Sequence, residues 1–147
     1  MPLTPDAAAI LRAVLCLTAW SLVMMLWMFA TRLPAMQRLR LGPQAGAHAR
    51  ALGEQLPTEV RRVSDNYNHL FEAPTIFYAA ALAIVALGRS DLLHVACAWI
   101  YVILRVAHSL VQATVNVVML RFTLFTLSML VLAIMIVRGI MQSFVVF

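Results

Sequence analysis

The sequence contains no lysine, and charged residues of either sign make up only 12% of its 147 positions. Apolar residues reach 63%, and the mean hydropathy of +0.90 lies far from the balance of a water-soluble domain. This composition indicates that water is not the main solvent of the protein. It predicts a single helical domain, residues 1–147, that bilayer lipid and neighbouring helices surround.

Cysteine is scarce as well. Cys16 and Cys97 lie inside apolar runs without a CxxC pair, so the sequence predicts neither a disulfide framework nor a cysteine metal site. His48 and His94 lack acidic or thiol neighbours at metal-ligand spacing. We interpret the two cysteines as packing residues and the two histidines as structural or solvated, and we expect no metal.

The first segment, MPLTPDAAAILRAVL, lacks the positive start and the small-residue cleavage site of a secretory signal peptide. Its apolar run is also too long for one. We therefore expect this segment to stay in the protein as a membrane anchor.

Four apolar runs are long enough to cross a bilayer, which takes about 20 helical residues. The predicted helices cover residues 6–31, 58–87, 92–115 and 121–138. We expect Asp6 and Thr58 to cap the first two, and Pro74 to kink the second. The predicted fold class is an all-α integral membrane four-helix bundle.

Residues 32–57 form a polar segment rich in glycine and proline, which predicts a long loop. Four arginines lie in this segment, and two more lie at the start of the second helix. Together they are six of the eleven positive residues: Arg32, Arg38, Arg40, Arg50, Arg61 and Arg62. This clustering favours a cytoplasmic loop, with both termini on the opposite side, over a nucleic-acid-binding surface.

Polar residues form a stripe along the second predicted helix and another along the third. Spacings of three and four residues place the members of each stripe on one helix face. The Arg61 stripe comprises Arg61, Asp65, Asn68 and Glu72, and the Arg105 stripe comprises Tyr101, Arg105, His108, Gln112 and Asn116. We expect the two stripes to face each other.

Glu72 and Arg105 lie at a similar predicted depth, about 15 Å along their helices. A lone charge at that depth is costly, so we predict an ion pair between them. Two interpretations of the stripes stay open: polar contacts that hold the bundle together, or a functional site. His108 could transfer a proton or could simply be a hydrogen-bonded structural residue.

With these residues set out, the chain resembles the MAPEG family, membrane-associated proteins of eicosanoid and glutathione metabolism. The resemblance rests on RRVSDNYNHLFEAP in the second helix, on LRVAHSLVQ in the third, and on Arg121. It implies a homotrimer in a membrane, expected to be a bacterial inner membrane. It further implies that glutathione is held between adjacent subunits on the cytoplasmic side.

The resemblance also implies roles for single residues. Arg121 would stabilise the glutathione thiolate and His108 would flank the peptide. The residues expected to hold glutathione are Arg61, Arg62, Asn68, Glu72, Arg105 and Gln112. The implied activity is a glutathione transferase or peroxidase acting on lipophilic electrophiles or lipid hydroperoxides that enter from the bilayer.

Several positions depart from the family pattern, including Phe122, which follows Arg121 where a hydroxyl residue is expected, and Pro74, which follows Glu72 by two residues instead of three. Gln112 stands where several glutathione-using members carry a tyrosine, and Glu72 follows Asn68 by four residues instead of three. These departures leave an alternative open. The chain could be a non-enzymatic trimeric membrane protein that binds another anionic or lipidic ligand or scaffolds partners.

Overall fold

The computed structural model describes residues 3–144, and within them every side chain except those of residues 49 and 50, so the predicted loop residue Arg50 has no described side chain. The helices are α1 (Pro5–Arg38), α2 (Ala49–Gln55), α3 (Thr58–His69), α4 (Ala73–Ala86), α5 (Leu92–Ala113) and α6 (Val118–Phe144), with a 3₁₀ helix at Pro43–Ala47.

Four helical segments of the described chain are long and apolar enough to cross a membrane. They are α1, α3 together with α4, α5 and α6. The prediction of an all-helical chain with four apolar spans is therefore confirmed. The C-terminus of α1, α2, the start of α3 and the α5–α6 connection lie at one end of the bundle, which we call the loop end. The 87–91 turn and the end of α6 lie at the far end.

The polar loop is shorter than predicted, because α1 continues past Pro34 to Arg38. Residues 43–47 and 49–55 add two short helices. Leu52 and Leu56 are buried against Ala35 and Val60, which fastens this segment to the bundle. Glycine and proline mark turns locally, and for this reason the sequence predicted a loop here. The four-residue spacing of the two leucines, which is typical of one helix face, was overlooked.

The predicted helix caps are wrong at both positions. The hydroxyl of Thr4, not Asp6, accepts the Ala7 amide at 3.2 Å. Pro57, not Thr58, occupies the cap position of α3 and makes no side-chain cap bond. The cap position belongs to the residue just outside the helix, and the two observed cap positions lie two residues and one residue before the predicted ones.

The second span breaks between His69 and Ala73, at the place where Pro74 predicts a kink. Proline has no amide hydrogen and cannot bond the carbonyl of Leu70. The chain tightens into a turn in which the amides of Phe71 and Glu72 bond the carbonyls of Asn68 and His69 at 3.0 and 3.4 Å.

The last two spans also differ in length from their predictions. Helix α5 ends at Ala113, two residues early, and Asn116 adopts a left-handed backbone with φ of 54°. Helix α6 begins at Val118 and reaches Phe144, so it is longer at both ends than the predicted 121–138.

Candidate functional site

The Arg105 stripe faces the interior of the bundle. Its four members within α5 are Tyr101, Arg105, His108 and Gln112, and all of them are buried. Tyr101 stacks on Phe77 of α4 with ring centroids 4.6 Å apart. The predicted fifth member, Asn116, lies beyond the helix in the α5–α6 connection.

The Arg61 stripe faces away from α5, so the prediction that the two stripes face each other is wrong. All four of its members are exposed in the single chain. The buried residues of α3 are Val60, Val63 and Asn66, which lie about a quarter-turn or more around the helix from the stripe. Both faces of α3 carry polar residues, and spacing alone therefore could not tell which one turns inward.

Asn66 is the polar residue of α3 that does enter the bundle. Its Nδ2 donates to the hydroxyl of Ser109 on α5 at 2.6 Å. The same hydroxyl accepts the indole N–H of Trp20 on α1 at 3.0 Å. Three spans therefore meet at one buried oxygen, which fixes the rotation of α3 and presents the Arg61 stripe outward.

A polar cavity of about 490 Å³ opens beside the Arg61 stripe at the loop end. Its lining comes from the end of α1, from α2 and its flank, and from α3: Arg32, Gly53, Glu54, Leu56, Arg61, Ser64, Asp65 and Asn68. The two guanidinium groups and the Asn68 amide supply hydrogen-bond donors, while Asp65 and Glu54 supply acceptors. We call this the outer cavity.

A smaller cavity of about 250 Å³ lies between the end of α3, α5 and α6. We call it the inner cavity, and its lining residues are His69, His108, Val118, Arg121, Phe122 and Phe125. The Nη1 of Arg121 donates to Asn116 Oδ1 at 2.5 Å, so the left-handed turn at Asn116 positions this guanidinium. Cationic, imidazole and aromatic groups thus share one small space.

The predicted ion pair between Glu72 and Arg105 does not form in this chain. Glu72 is 68% exposed, and its carboxylate lies 2.6 Å from Nδ1 of His69. Arg105 is fully buried and donates from Nη2 to the carbonyl of His69 at 3.3 Å. Its guanidinium also lies over the ring of Phe125, 5.6 Å from the centroid.

The contact made by Arg105 has a clear structural reason. The break before Pro74 leaves carbonyls at the end of α3 without their usual helical amides, and a cation at a helix C-terminus is favourable. Arg62 acts similarly at the end of α5, where its Nη1 donates to the carbonyl of Thr114 at 3.0 Å. Both arginines therefore hold helix ends.

A second polar network closes the far end. Asp91 accepts the His94 amide at 2.9 Å and bonds Arg138 and Gln142 of α6 at 2.5 and 2.9 Å. Burial raises the pKa of Asp91, but the hydrogen bonds from Arg138, the His94 amide and Gln142 outweigh it and hold that pKa well below its usual range. His94 therefore does have an acidic neighbour, 3.0 Å from its Nδ1, contrary to the sequence interpretation.

A third cavity, of about 1060 Å³, also lies at the far end, between α5 and α6. It contains none of the residues that the sequence assigned to a site, and its walls are mostly apolar, including Leu93, Ile134 and Val137. Among residues 3–144 no group of three or more metal-ligating side chains converges. Of these three cavities, only the two at the loop end are lined by residues that the sequence assigned to a site.

The model of the MAPEG family matches residues 10–141, which is nearly the whole chain. The chain belongs to the MAPEG family. Searches of curated proteins and of solved structures each return no match. The family assignment therefore comes from the family model, and the roles of single residues have to be argued from this chain.

The structure divides the site residues expected from MAPEG resemblance into three groups. Arg61 and Asn68 line the outer cavity. His108 and Arg121 line the inner cavity. The remaining four residues line neither cavity: Arg62, Glu72, Arg105 and Gln112. Gln112 is buried in α5, and its Oε1 has no hydrogen-bond partner within the described chain.

Sequence reasoning missed His69, which lines the inner cavity and contacts Glu72 of the Arg61 stripe. Its ring packs 5.2 Å from His108 and 5.5 Å from Phe125, measured between centroids, and its Nδ1 contacts the Glu72 carboxylate. A signal was present, because His69 precedes Glu72 by three residues and such pairs are neighbours on a helix. His69 lies outside the Arg61 stripe, and the prediction considered only the residues of that stripe.

Unpartnered arginine atoms test whether this end suits an anionic ligand. Arg121 Nε, Arg62 Nε, and the Nε and Nη1 of Arg105 are buried and have no partner among the described residues. Every one of these atoms is a donor that stays protonated. Buried donors without partners are costly, and carboxylate or thiolate groups are the acceptors that guanidinium groups pair with best.

Proposed function

We propose that this MAPEG protein is a glutathione-dependent membrane enzyme, a transferase or peroxidase that acts on lipophilic electrophiles or lipid hydroperoxides. The observation that carries the proposal is that arginines line both cavities at the loop end, Arg32 and Arg61 in the outer cavity and Arg121 in the inner cavity. Glutathione, as co-substrate, offers two carboxylates and a thiol to such groups.

The outer cavity suits the peptide part of glutathione. Arg61 and Arg32 can each pair with a carboxylate in a bidentate manner, and Asn68 can bond a peptide group. Asp65 stands in the same cavity as an acceptor for the glutathione ammonium group. The volume of about 490 Å³ lies in the range of small-molecule sites.

The inner cavity suits the sulfur. Arg121 and His108 line it together with Phe122 and Phe125. A guanidinium beside a thiol favours the charged thiolate and so lowers the pKa of that thiol. The thiolate is the nucleophile that attacks an electrophile or a peroxide oxygen.

The lipophilic substrate is expected to arrive from the bilayer. Val118 and Phe122 are both more than 60% exposed on α6 while also lining the inner cavity. An apolar molecule that moves along this face reaches the sulfur without crossing water. No eicosanoid in particular follows from these residues, because they form a general apolar surface.

A second copy of the chain completes the proposed site. Glu72 lies eleven residues past Arg61, about 16 Å deeper along the span, and yet its side chain is 68% exposed in the single chain. A carboxylate that faces lipid at that depth is costly. A homotrimer, as implied by family resemblance, would cover the Arg61 stripe with a neighbouring subunit and place glutathione at the junction.

The arginine distribution supports an orientation for this assembly. Arg32, Arg38, Arg40 and Arg61 cluster at the loop end, and positive residues accumulate on the cytoplasmic side of membrane proteins. We therefore place the loop end in the cytoplasm, where glutathione reaches both cavities. By resemblance, the membrane would be a bacterial inner membrane.

The experiment is glutathione binding to the purified protein in detergent, followed by ultraviolet absorbance of the thiolate and by equilibrium dialysis. We expect Arg61→Ala to weaken affinity by about tenfold or more, the loss of a charge-assisted pair. Arg121→Ala should lose most of the thiolate absorbance while keeping much of the affinity. Arg12→Ala, an exposed arginine at the far end, is the matched control.

Absence of binding at millimolar glutathione would reject the enzyme proposal. The non-enzymatic alternative would then apply, in which the same arginines bind another anionic or lipidic ligand. Thiolate absorbance that is unchanged in Arg121→Ala would reject the assigned role of Arg121 and leave the binding proposal standing.

A further inference from the structure

We propose that His69 is the general base that removes the thiol proton of bound glutathione, with Glu72 as the residue that positions it. This inference rests on the proposed function and adds a catalytic step to it. Its basis is the contact of 2.6 Å between His69 Nδ1 and Glu72 Oε2. The imidazole ring of His69 also lines the inner cavity.

The contact defines which nitrogen of His69 can act. An ionised carboxylate has only acceptor atoms, so a hydrogen bond to Glu72 requires the proton to lie on Nδ1. The neutral imidazole then carries its lone pair on Nε2. Among the described residues, the His69 ring forms its hydrogen bond at Nδ1 and none at Nε2. The ring therefore offers a free base in the cavity that we assign to the sulfur.

The break in the second span creates this arrangement. The turn at residues 70–72 lies between His69, the last residue of α3, and Ala73, the first of α4. Arg105 holds the same turn from the other side by donating to the carbonyl of His69. Glu72 thus contacts the ring of His69, and this ring connects the outward Arg61 stripe with the inner cavity.

The groups around His69 explain why a separate base is useful. Arg105 and His108 approach it from α5, Arg121 lines the same cavity from α6, and Glu72 is on its own connection. Arg121 can stabilise a thiolate in this cavity, but a guanidinium cannot accept a proton. His108 has no carboxylate partner among the described residues, so it lacks the support that Glu72 gives to His69.

The proposed step is a single proton transfer. The S–H bond of glutathione breaks, its electron pair stays on sulfur, and the proton forms an N–H bond with Nε2 of His69. Glu72 stabilises the resulting imidazolium through the hydrogen bond at Nδ1. Arg121 stabilises the thiolate. When the thiolate attacks a peroxide oxygen, the O–O bond breaks and the imidazolium gives its proton to the departing oxygen; when the thiolate displaces chloride, the chloride leaves as an anion and the proton passes to water, and in both cases the base is restored.

The test compares His69→Gln with the unmodified protein in two separate measurements. Equilibrium dialysis of glutathione reports binding, and the rate of conjugation to a chlorodinitrobenzene reports the chemistry. We expect the affinity of His69→Gln to stay within about threefold, while the conjugation rate near neutral pH falls by about 10²- to 10⁴-fold, the usual contribution of a general base. His48→Gln, an exposed loop histidine, should change neither value.

The pH profile and chemical rescue separate a base from a structural residue. The rate of the unmodified protein should rise with pH to a plateau, whereas the rate of His69→Gln should keep rising into the alkaline range. Added imidazole should restore part of the rate of His69→Ala, because the truncation opens space in the inner cavity. Glu72→Gln should keep the plateau, moved to a different pH, with a smaller loss of rate.

Distinct results overturn the two proposals. If the unmodified protein binds and conjugates glutathione, and His69→Gln matches it in rate and pH profile, the base assignment is wrong and the proposed function stands. If His69→Gln loses affinity and rate in parallel without imidazole rescue in His69→Ala, His69 is a binding residue and the base assignment is again wrong. If the unmodified protein shows no glutathione binding in dialysis, the proposed function fails first.

Discussion

Replacing Ser109 with alanine removes one oxygen on which three spans converge. Two donors lose their acceptor, the buried Nδ2 of Asn66 and the partly buried indole N–H of Trp20. Hydrogen bonds between membrane helices average about 0.6 kcal/mol and reach about 1.7, and a buried donor left alone costs about 1–3 kcal/mol. We therefore expect Ser109→Ala to lower the free energy of unfolding by about 1–3 kcal/mol.

The assay is unfolding of the purified protein in mixed micelles with increasing dodecyl sulfate, followed by far-ultraviolet circular dichroism. Ser21→Ala is the matched control, because Ser21 is also buried but bonds only the carbonyl of Leu17 in its own helix. A double-mutant cycle with Trp20→Phe should show coupling. A loss for Ser109→Ala no larger than for Ser21→Ala, or strict additivity with Trp20→Phe, would refute this account of how the bundle is held.

Two further predictions concern the packing of α6. A Cβ at Gly139 would lie 3.0 Å from Cγ1 of Ile84 on α4, so Gly139→Val should lower the free energy of unfolding by about 1–3 kcal/mol through overpacking. Adding Ile84→Ala should recover part of this stability in the same unfolding assay. No recovery would contradict the contact. Asp91→Asn should destabilise the protein by about 1–3 kcal/mol at neutral pH. Because the folded-state pKa of Asp91 is lowered, the stability that its carboxylate contributes persists above the ordinary carboxyl range and declines only as the pH falls below that range. The difference in stability from Asp91→Asn should therefore shrink only in strong acid. A difference that disappears near neutral pH would contradict the network.

The architecture was largely predictable because lipid imposes simple rules. A span needs about 20 apolar residues, and the sequence contains four such runs. The inward face of α5 was also predictable, since its polar residues recur at helical spacing and the opposite face is apolar. Helix ends were less predictable. Thr4 and Pro57 occupy the cap positions, but residues next to them are also of types that cap helices.

The candidate site was predictable in its residue types and not in its pairings. Arg121 and His108 do share a cavity, as the resemblance suggested. The partner of Glu72 could not be read from depth along the helix, because the break before Pro74 turns Glu72 toward His69 and leaves Arg105 to hold the His69 carbonyl. The rotation of α3 depended on the contact between Asn66 and Ser109, which no spacing in a single helix reveals.

Native mass spectrometry tests the central proposal most directly, because one spectrum reports both the number of chains and the bound peptide. The protein would be released from detergent micelles after incubation with millimolar glutathione. We expect a trimer that carries added glutathione masses, and we expect Arg61→Ala to lose those masses while keeping the trimer. A monomer, or a trimer that shows no glutathione in the unmodified protein, would contradict the proposal of a glutathione site completed by neighbouring subunits.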